Sequence, residues 1–215
     1  MKLIPEKEII KIPIKDNGER LVCVKEFCPQ IIINLALYIK KENKKSCKKA
    51  TFVRESVAKR LVVAQSNLPK GYRLMLCCGH RTLSIQKKMY DKRYDKLKKE
   101  NPQLSKEKLK DETSKFIAPV DIVPPHSTGG AIDISIIGPN QKELNMGTKI
   151  GTFTEETYTN SSKISKIAKK NRKLLISVMT KAGFVNYPTE WWHWSYGDRD
   201  WAAVLKKKYS IYGSI

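Results

Sequence analysis

Two short segments constrain this chain more than anything else in it: residues 125–133, which carry His126 and Asp133, and residues 190–194, which carry Glu190 and His193. Together they supply two imidazoles, one carboxylate suited to ligating a metal, and one carboxylate to spare. A catalytic zinc ion keeps three protein ligands of nitrogen and oxygen type and leaves a fourth position for water. His126, Asp133 and His193 meet that count, and Glu190 is then available as a base. Histidine is scarce: the chain has three, His80, His126 and His193, and two of them fall in these segments. Either pattern alone recurs by chance, so it is their joint occurrence that predicts one zinc site.

At 215 residues the chain is long enough for one compact domain with its own core. Forty per cent hydrophobic and 29% charged residues describe a folded globular protein. The formal net charge of +21 and the pI near 9.8 raise a rival reading, because basic surfaces attract nucleic acid and anionic membranes. The lysines, however, are scattered through the chain (Lys44, Lys48, Lys87, Lys106, Lys206 among them) with no arginine-rich stripe or nucleic-acid motif. They are read as solvated surface, with no specific nucleic-acid partner expected. Five cysteines form an odd set, and Cys77 and Cys78 are adjacent, so reduced thiols are expected. The first residues lack an apolar signal core, and no apolar run approaches the roughly 18 residues of a membrane span. The expected location is the cytoplasm.

No repeat or linker divides the sequence, so residues 1–215 are read as a single domain, with residues 1–50 an N-terminal extension packing on the core and the motifs within 79–194. Val57, Leu61, Val62 and Ala64 share a helical face over 54–67. Residues 73–78, apolar and bounded by Gly71 and Gly79, suit a buried strand. Thr82 is placed to cap a helix running from Leu83 to about Lys99, and Ser105 a charged helix to about Lys115. Residues 131–137 alternate and are rich in Ile, which predicts a strand carrying Asp133 on one face, with His126 on the loop before it. Residues 165–182 form an amphipathic helix (Ile167, Leu174, Leu175, Val178, Met179) closed by Gly183. Residues 184–187 and 191–196 read as two strands joined at Pro188. The fold class is α+β: a central antiparallel sheet flanked by helices.

A zinc ion with an open position makes peptide or amide hydrolysis the default chemistry. Imidazole ligands favour zinc over magnesium. Glu190 would take a proton from the attacking water and deliver it to the leaving amine. It lies three residues from His193, and in an extended segment both reach one cleft only if the chain bends. Arg81, in a turn at the end of the 73–78 strand, is the candidate for the developing oxyanion. His80 could complete a metal site in place of Asp133, but a supporting or packing role fits better because Asp133 belongs to the tighter motif. Trp191, Trp192 and Trp194 pack core or line the cleft.

Residues 125–136, the run Asn145-Met146-Gly147-Thr148 and Glu190-Trp191-Trp192-His193 resemble the VanX-type D-alanyl-D-alanine dipeptidases, within the zinc DD-peptidase family that shares its fold with the hedgehog signalling domain. The likeness extends weakly over most of 50–200, and Gly79-His80-Arg81-Thr82 with Gln86 resembles the family's arginine turn. The resemblance implies zinc on His126, Asp133 and His193, Glu190 as general base, and Arg81 stabilising the tetrahedral intermediate. Two positions depart from the family. Its serine two residues before the first zinc histidine is Pro124 here, and the aspartate that helps hold the substrate's ammonium is Gly151. Both changes loosen recognition of a free dipeptide, and Glu155 or Glu156 could substitute as the anchor. The expected function is a zinc dipeptidase acting on D-Ala-D-Ala or related small peptides. The alternatives are a muropeptide peptidase of the same fold and a non-enzymatic zinc-stabilised binding module.

Overall fold

The computed structural model describes residues 3–36 and 49–215. Helix α1 (Glu6–Ile9) leads to strand β1 (Leu21–Cys23), α2 (Val24–Phe27) and β2 (Ile32–Ile33); β3 (Phe52–Arg54), α3 (Glu55–Ser66) and β4 (Arg73–Cys78) follow. A helical hairpin, α4 (Leu83–Glu100) and α5 (Lys106–Ser114), precedes β5 (Ala131–Ile137). The chain closes with α6 (Lys166–Lys181), β6 (Val185–Asn186), β7 (His193–Ser195) and α7 (Arg199–Val204).

Five strands form the central sheet in the order β2-β4-β5-β7-β6. Every pairing is antiparallel except β2 with β4, so the expected antiparallel sheet is mixed at one edge. Strand β5 lies at the centre and is buried along its whole length. Its even residues Ile132, Ile134 and Ile136 join Leu74 and Leu76 in the main core, against Val57, Leu61 and Ala64 of α3 and Leu175, Val178 and Met179 of α6. Each such fully buried side chain contributes on the order of 1.5–3 kcal/mol. Helices α3 and α6 therefore cover one face of the sheet. The odd residues, Asp133 among them, point to the other face, where the α4–α5 hairpin and the 115–125 loop leave a cleft.

The helix ends explain where elements stop. Ser105 accepts from the Lys108 amide (3.2 Å), capping α5 as expected, and Ser165, read as the first residue of its helix, instead caps α6 by accepting from the Ala168 amide (3.1 Å). Thr82 occupies the N-cap position of α4, but its hydroxyl meets Ser84 Oγ at 3.1 Å and makes no cap hydrogen bond. At the far end of α6 the Phe184 amide reaches the Met179 carbonyl and the Gly183 amide the Thr180 carbonyl, with Gly183 at φ +86°. That double bond pattern needs a left-handed residue, which glycine supplies without steric cost. Two apolar side chains expected to face inward do not: Val62 is 40% and Ile167 66% exposed.

Val22, Val24, Cys28 and Ile31, from the stretch before residue 50, are part of the main core. Cys23, Cys28, Cys77 and Cys78 form no disulfide, as expected of reduced thiols, and Cys47 lies outside the described residues. No helix among the described residues is long and apolar enough to cross a membrane.

Candidate active site

The candidate residues meet around one transverse row of the sheet. Asp133 pairs with His193 of β7 on one side and with Cys78 of β4 on the other. A bulge between Leu76 and Cys78 shifts the register so that Cys78, rather than Cys77, stands opposite Asp133. Three residues further on, Arg81 leaves the strand with its amide bonded to the His126 carbonyl (3.0 Å). His126 sits in a 3-10 turn, Pro125–Thr128, just before β5.

Asp133 Oδ1 lies 3.3 Å from His126 Nε2 and 3.3 Å from His193 Nδ1. It is a buried oxygen with no well-aligned hydrogen-bond donor, although both contacts are short enough to count as ion pairs. The spacing is also one that a shared ion would suit. Bonds of about 2.0–2.1 Å put the ligand atoms of a tetrahedral zinc about 3.3–3.4 Å apart. His126 Nδ1 meets the Gly79 carbonyl at 2.8 Å, so its proton belongs there and the Nε2 lone pair is turned toward Asp133. His193 Nε2 has Ser195 Oγ at 3.5 Å behind it.

Electrostatics agree with that use at His126, whereas at His193 burial, which would lower the imidazole, is outweighed by Asp133 and Glu190 and it is raised. Burial pushes the His126 imidazole down to about 4, against the pull of Asp133, and so keeps it neutral at ordinary pH. Burial alone would raise the Asp133 carboxyl, but His126 and His193 together outweigh it and hold it below the ordinary range. Glu190 is 8% exposed, and burial, reinforced by Asp133, raises its carboxyl to about 8 despite the opposing pull of His193.

The two long strands expected at 184–187 and 191–196 are shorter, and the difference supplies the bend that Glu190 needs. Residues 190–192 form a turn closed by the His193 amide on the Glu190 carbonyl (3.1 Å). Glu190 Oε2 is thereby 3.9 Å from His193 Nδ1. Buried Asn186 pins this turn, its Nδ2 donating to the Glu190 carbonyl (3.1 Å) and the His193 carbonyl (2.9 Å). The sequence reading passed over Asn186, and no motif marks it.

Arg81, 9% exposed, points NH2 at Asp133 Oδ2 (3.6 Å) and at Cys78 Sγ (3.7 Å). Its NH1 donates to Gln86 Oε1 at 2.9 Å, while Gln86 Nε2 donates to the Ala118 carbonyl at 2.7 Å. Among the described residues, two sets of potential metal-ligand atoms lie within 4.8 Å of one another: Asp133 with Glu190 and His193, and Cys78 with His126 and Asp133. The Cys78 thiol is 3.8 Å from His126 Nδ1, the nitrogen already facing Gly79, so it sits at the back edge of that ring. His80 is buried and belongs to neither set.

All five predicted residues line one cavity of about 720 Å³. Pro124 and Gly151 line it too. A side chain at Gly151 would have open space, but φ is +78°, a conformation that disfavours anything but glycine. Glu155 does not face this cavity: it pairs with Lys163 and borders a different pocket. Glu156 lines neither pocket. The carboxylates that do line the cleft beyond the central row are Glu6, Asp91, Asp111, Asp121 and Asp200.

The fold agrees with what comparison finds. Residues 21–214 match the peptidase M15 family described as D-ala-D-ala dipeptidase, and the chain belongs to that family. It is 31% identical over 103 residues to a D-alanyl-D-alanine dipeptidase of Synechocystis, covering 43% of this chain and 42% of that protein. To the D-alanyl-D-alanine dipeptidase of Escherichia coli it is 32% identical over 78 residues, 36% of this chain and 40% of that one. The matched stretches thus span about two fifths of these relatives' length. Among solved structures, the LdcB LD-carboxypeptidase superposes with a TM-score of 0.50 at 21% identity, over 88% of this chain and 74% of that one, which supports the shared fold.

Proposed function

We propose that the chain is a zinc-dependent peptidase that hydrolyses D-alanyl-D-alanine or related small D-amino-acid peptides. The observation that carries this reading is the convergence of His126 Nε2 and His193 Nδ1, each 3.3 Å away, on Asp133 Oδ1, with Glu190 beside His193. In this reading His126, Asp133 and His193 hold one zinc ion, which supplies Lewis acidity to the scissile carbonyl and lowers the pKa of water toward about 7.

The protein's own groups do the rest. Glu190 accepts the proton of the attacking water at a carboxylate oxygen and passes it to the departing amine. Its buried setting raises its proton affinity to suit that exchange near neutral pH. The Arg81 guanidinium, aimed past Asp133 into the cleft, is placed to meet negative charge developing on the carbonyl oxygen. The Gly79 carbonyl fixes the tautomer of His126, and Asn186 fixes the turn that carries Glu190 and His193. We place the enzyme in the cytoplasm, where thiols such as Cys77 and Cys78 remain reduced.

The test is hydrolysis by the zinc-loaded protein of D-Ala-D-Ala, L-Ala-L-Ala and an N-acylated D-Ala-D-Ala peptide, followed by amino-acid release. Cleavage of the first in preference to the second is expected. Zinc-loaded protein that splits none of the three would refute the reading.

A further inference from the structure

The family match begins at residue 21, yet residues before it help to build the cleft. Leu3, Ile4, Pro5, Glu6 and Ile9 line the same cavity as Glu190, His193 and Arg81. The segment starts from a fixed base. The amide of Lys15 bonds to the Ser210 carbonyl (2.9 Å), the Ser210 amide to the Pro13 carbonyl (3.0 Å), and Ile12 packs against Val185, Trp201 and Ala202. From there α1 runs along α7, which is next to the β7 side of the site. Arg199 joins the two sides of the opening: its Nε donates to the Ile12 carbonyl (2.9 Å) and its NH1 to the Ile122 carbonyl in the 115–125 loop (3.2 Å). Glu6 lines the cavity together with Asp111 of α5 and Asp121 of the 120–122 turn on the opposite wall, and its carboxyl is raised by partial burial and by those two acids.

We infer that residues 3–9 form a strap across the mouth of the cleft, which admits short peptides with a free amino end and bars longer or polymer-attached ones. The inference rests on the peptidase reading for the nature of the ligand; the strap's position does not. A cavity of about 720 Å³ has room for a short peptide. In this inference a chain continuing beyond the amino side of the scissile bond leaves past Ile4, Glu6 and Ile9, which line that side of the cleft. This makes the segment, which lies before the residues matched by the family, a determinant of substrate length.

Two variants of the full-length protein release the strap without touching the central row: Ile12→Asp, which places a charge in its apolar seat, and Arg199→Gln, which removes its clamp. Two measurements are made on each. Amide hydrogen exchange is expected to speed up in residues 3–12 and in the facing 116–123 loop while β4 and β5 stay protected. The ratio of kcat/KM for diacetyl-Lys-D-Ala-D-Ala to that for D-Ala-D-Ala is expected to rise tenfold or more. A strap that is released with the ratio unmoved overturns the inference, and so does a facing loop whose exchange is indifferent to the strap. Wild-type protein that cleaves neither peptide sinks the peptidase reading instead. The exchange measurement needs no turnover and still decides whether the strap covers the cleft.

Discussion

The cleft has two unlike sides. Its floor is the row Cys78, Asp133 and His193, set in the centre of a sheet whose backbone is hydrogen-bonded on both sides and whose other face is packed by α3 and α6. Its rim is made of short segments, residues 3–9 with helix α1, 115–125 and 150–153, tied by single side chains such as Arg199 and Gln86. Under the proposed function, groups that must keep fixed distances for chemistry stand on or next to the floor, and groups that would meet the rest of a ligand stand on the rim. The contrast says that floor substitutions should abolish metal binding or turnover, while rim substitutions should change which peptide is used.

The largest effect tests the floor. His126→Ala or His193→Ala is expected to remove the ion and all measurable activity, with zinc content by metal analysis falling below one per chain. A His126→Ala protein that retains full zinc refutes the assignment. Chelation of the wild type should abolish activity, and added zinc should restore it.

Glu190→Gln comes next: zinc retained, kcat lowered by about a hundredfold or more. Its titration gives a signed expectation as well. With a folded pKa raised to about 8, above its unfolded value, the metal-free carboxyl binds its proton more tightly when folded. The corresponding stability is fully present below the unfolded pKa and is lost as pH rises through about 8. Metal-free wild type should therefore lose stability between about pH 5 and 8, and Glu190→Gln should flatten that slope. Zinc nearby pulls the carboxyl pKa down, so the acid limb of kcat/KM should lie below 8. Thermal unfolding against pH, with and without zinc, checks both.

Arg81→Ala should lower kcat with little change in KM if the guanidinium meets charge that develops only in the transition state. A pure KM effect would assign Arg81 to the substrate's carboxylate and move it, in function, from floor to rim.

Much of the floor was legible in the sequence because its residues sit in short motifs with distinct chemistry. His126 and Asp133 flank a strand start, and Glu190 and His193 lie three apart. The core helices were legible from their periodicity, save Val62 and Ile167, whose apolar character does not reveal that they point outward. What was not legible depends on register and tertiary contact. The bulge that sets Cys78 opposite Asp133 leaves no trace in an apolar run, and Asn186 is a polar residue in a strand of two. The parallel edge strand β2 is likewise only two residues long, too short to show any periodicity. The turn at 190–192 was hidden because aromatic residues favour strands, whereas here Trp191 is drawn into the core, its Nε1 donating to Thr148 Oγ1 at 2.9 Å. The rim segment 3–9 carries no motif at all.

The smallest effect concerns the joint between the two sides. Gln86, 2% exposed, accepts from Arg81 and donates to the Ala118 carbonyl, so one side chain fixes both a floor guanidinium and the rim loop. Gln86→Ala leaves Arg81 its contacts with Asp133 and Cys78 but removes the Oε1 to which its NH1 donates. A net hydrogen bond to a charged group is worth about 1.5–3 kcal/mol, and only part of that should appear as misplacement of Arg81, because the remaining contacts still orient it. The expected result is a fall in kcat of about tenfold, near 1.4 kcal/mol, with zinc content unchanged. Gln86→Glu should recover most of it, since a carboxylate can still accept from Arg81 although it loses the donor to Ala118. If Gln86→Glu is as impaired as Gln86→Ala, it is the tie to the rim loop rather than the hold on Arg81 that matters, and the floor is then less independent of the rim than the sheet geometry suggests.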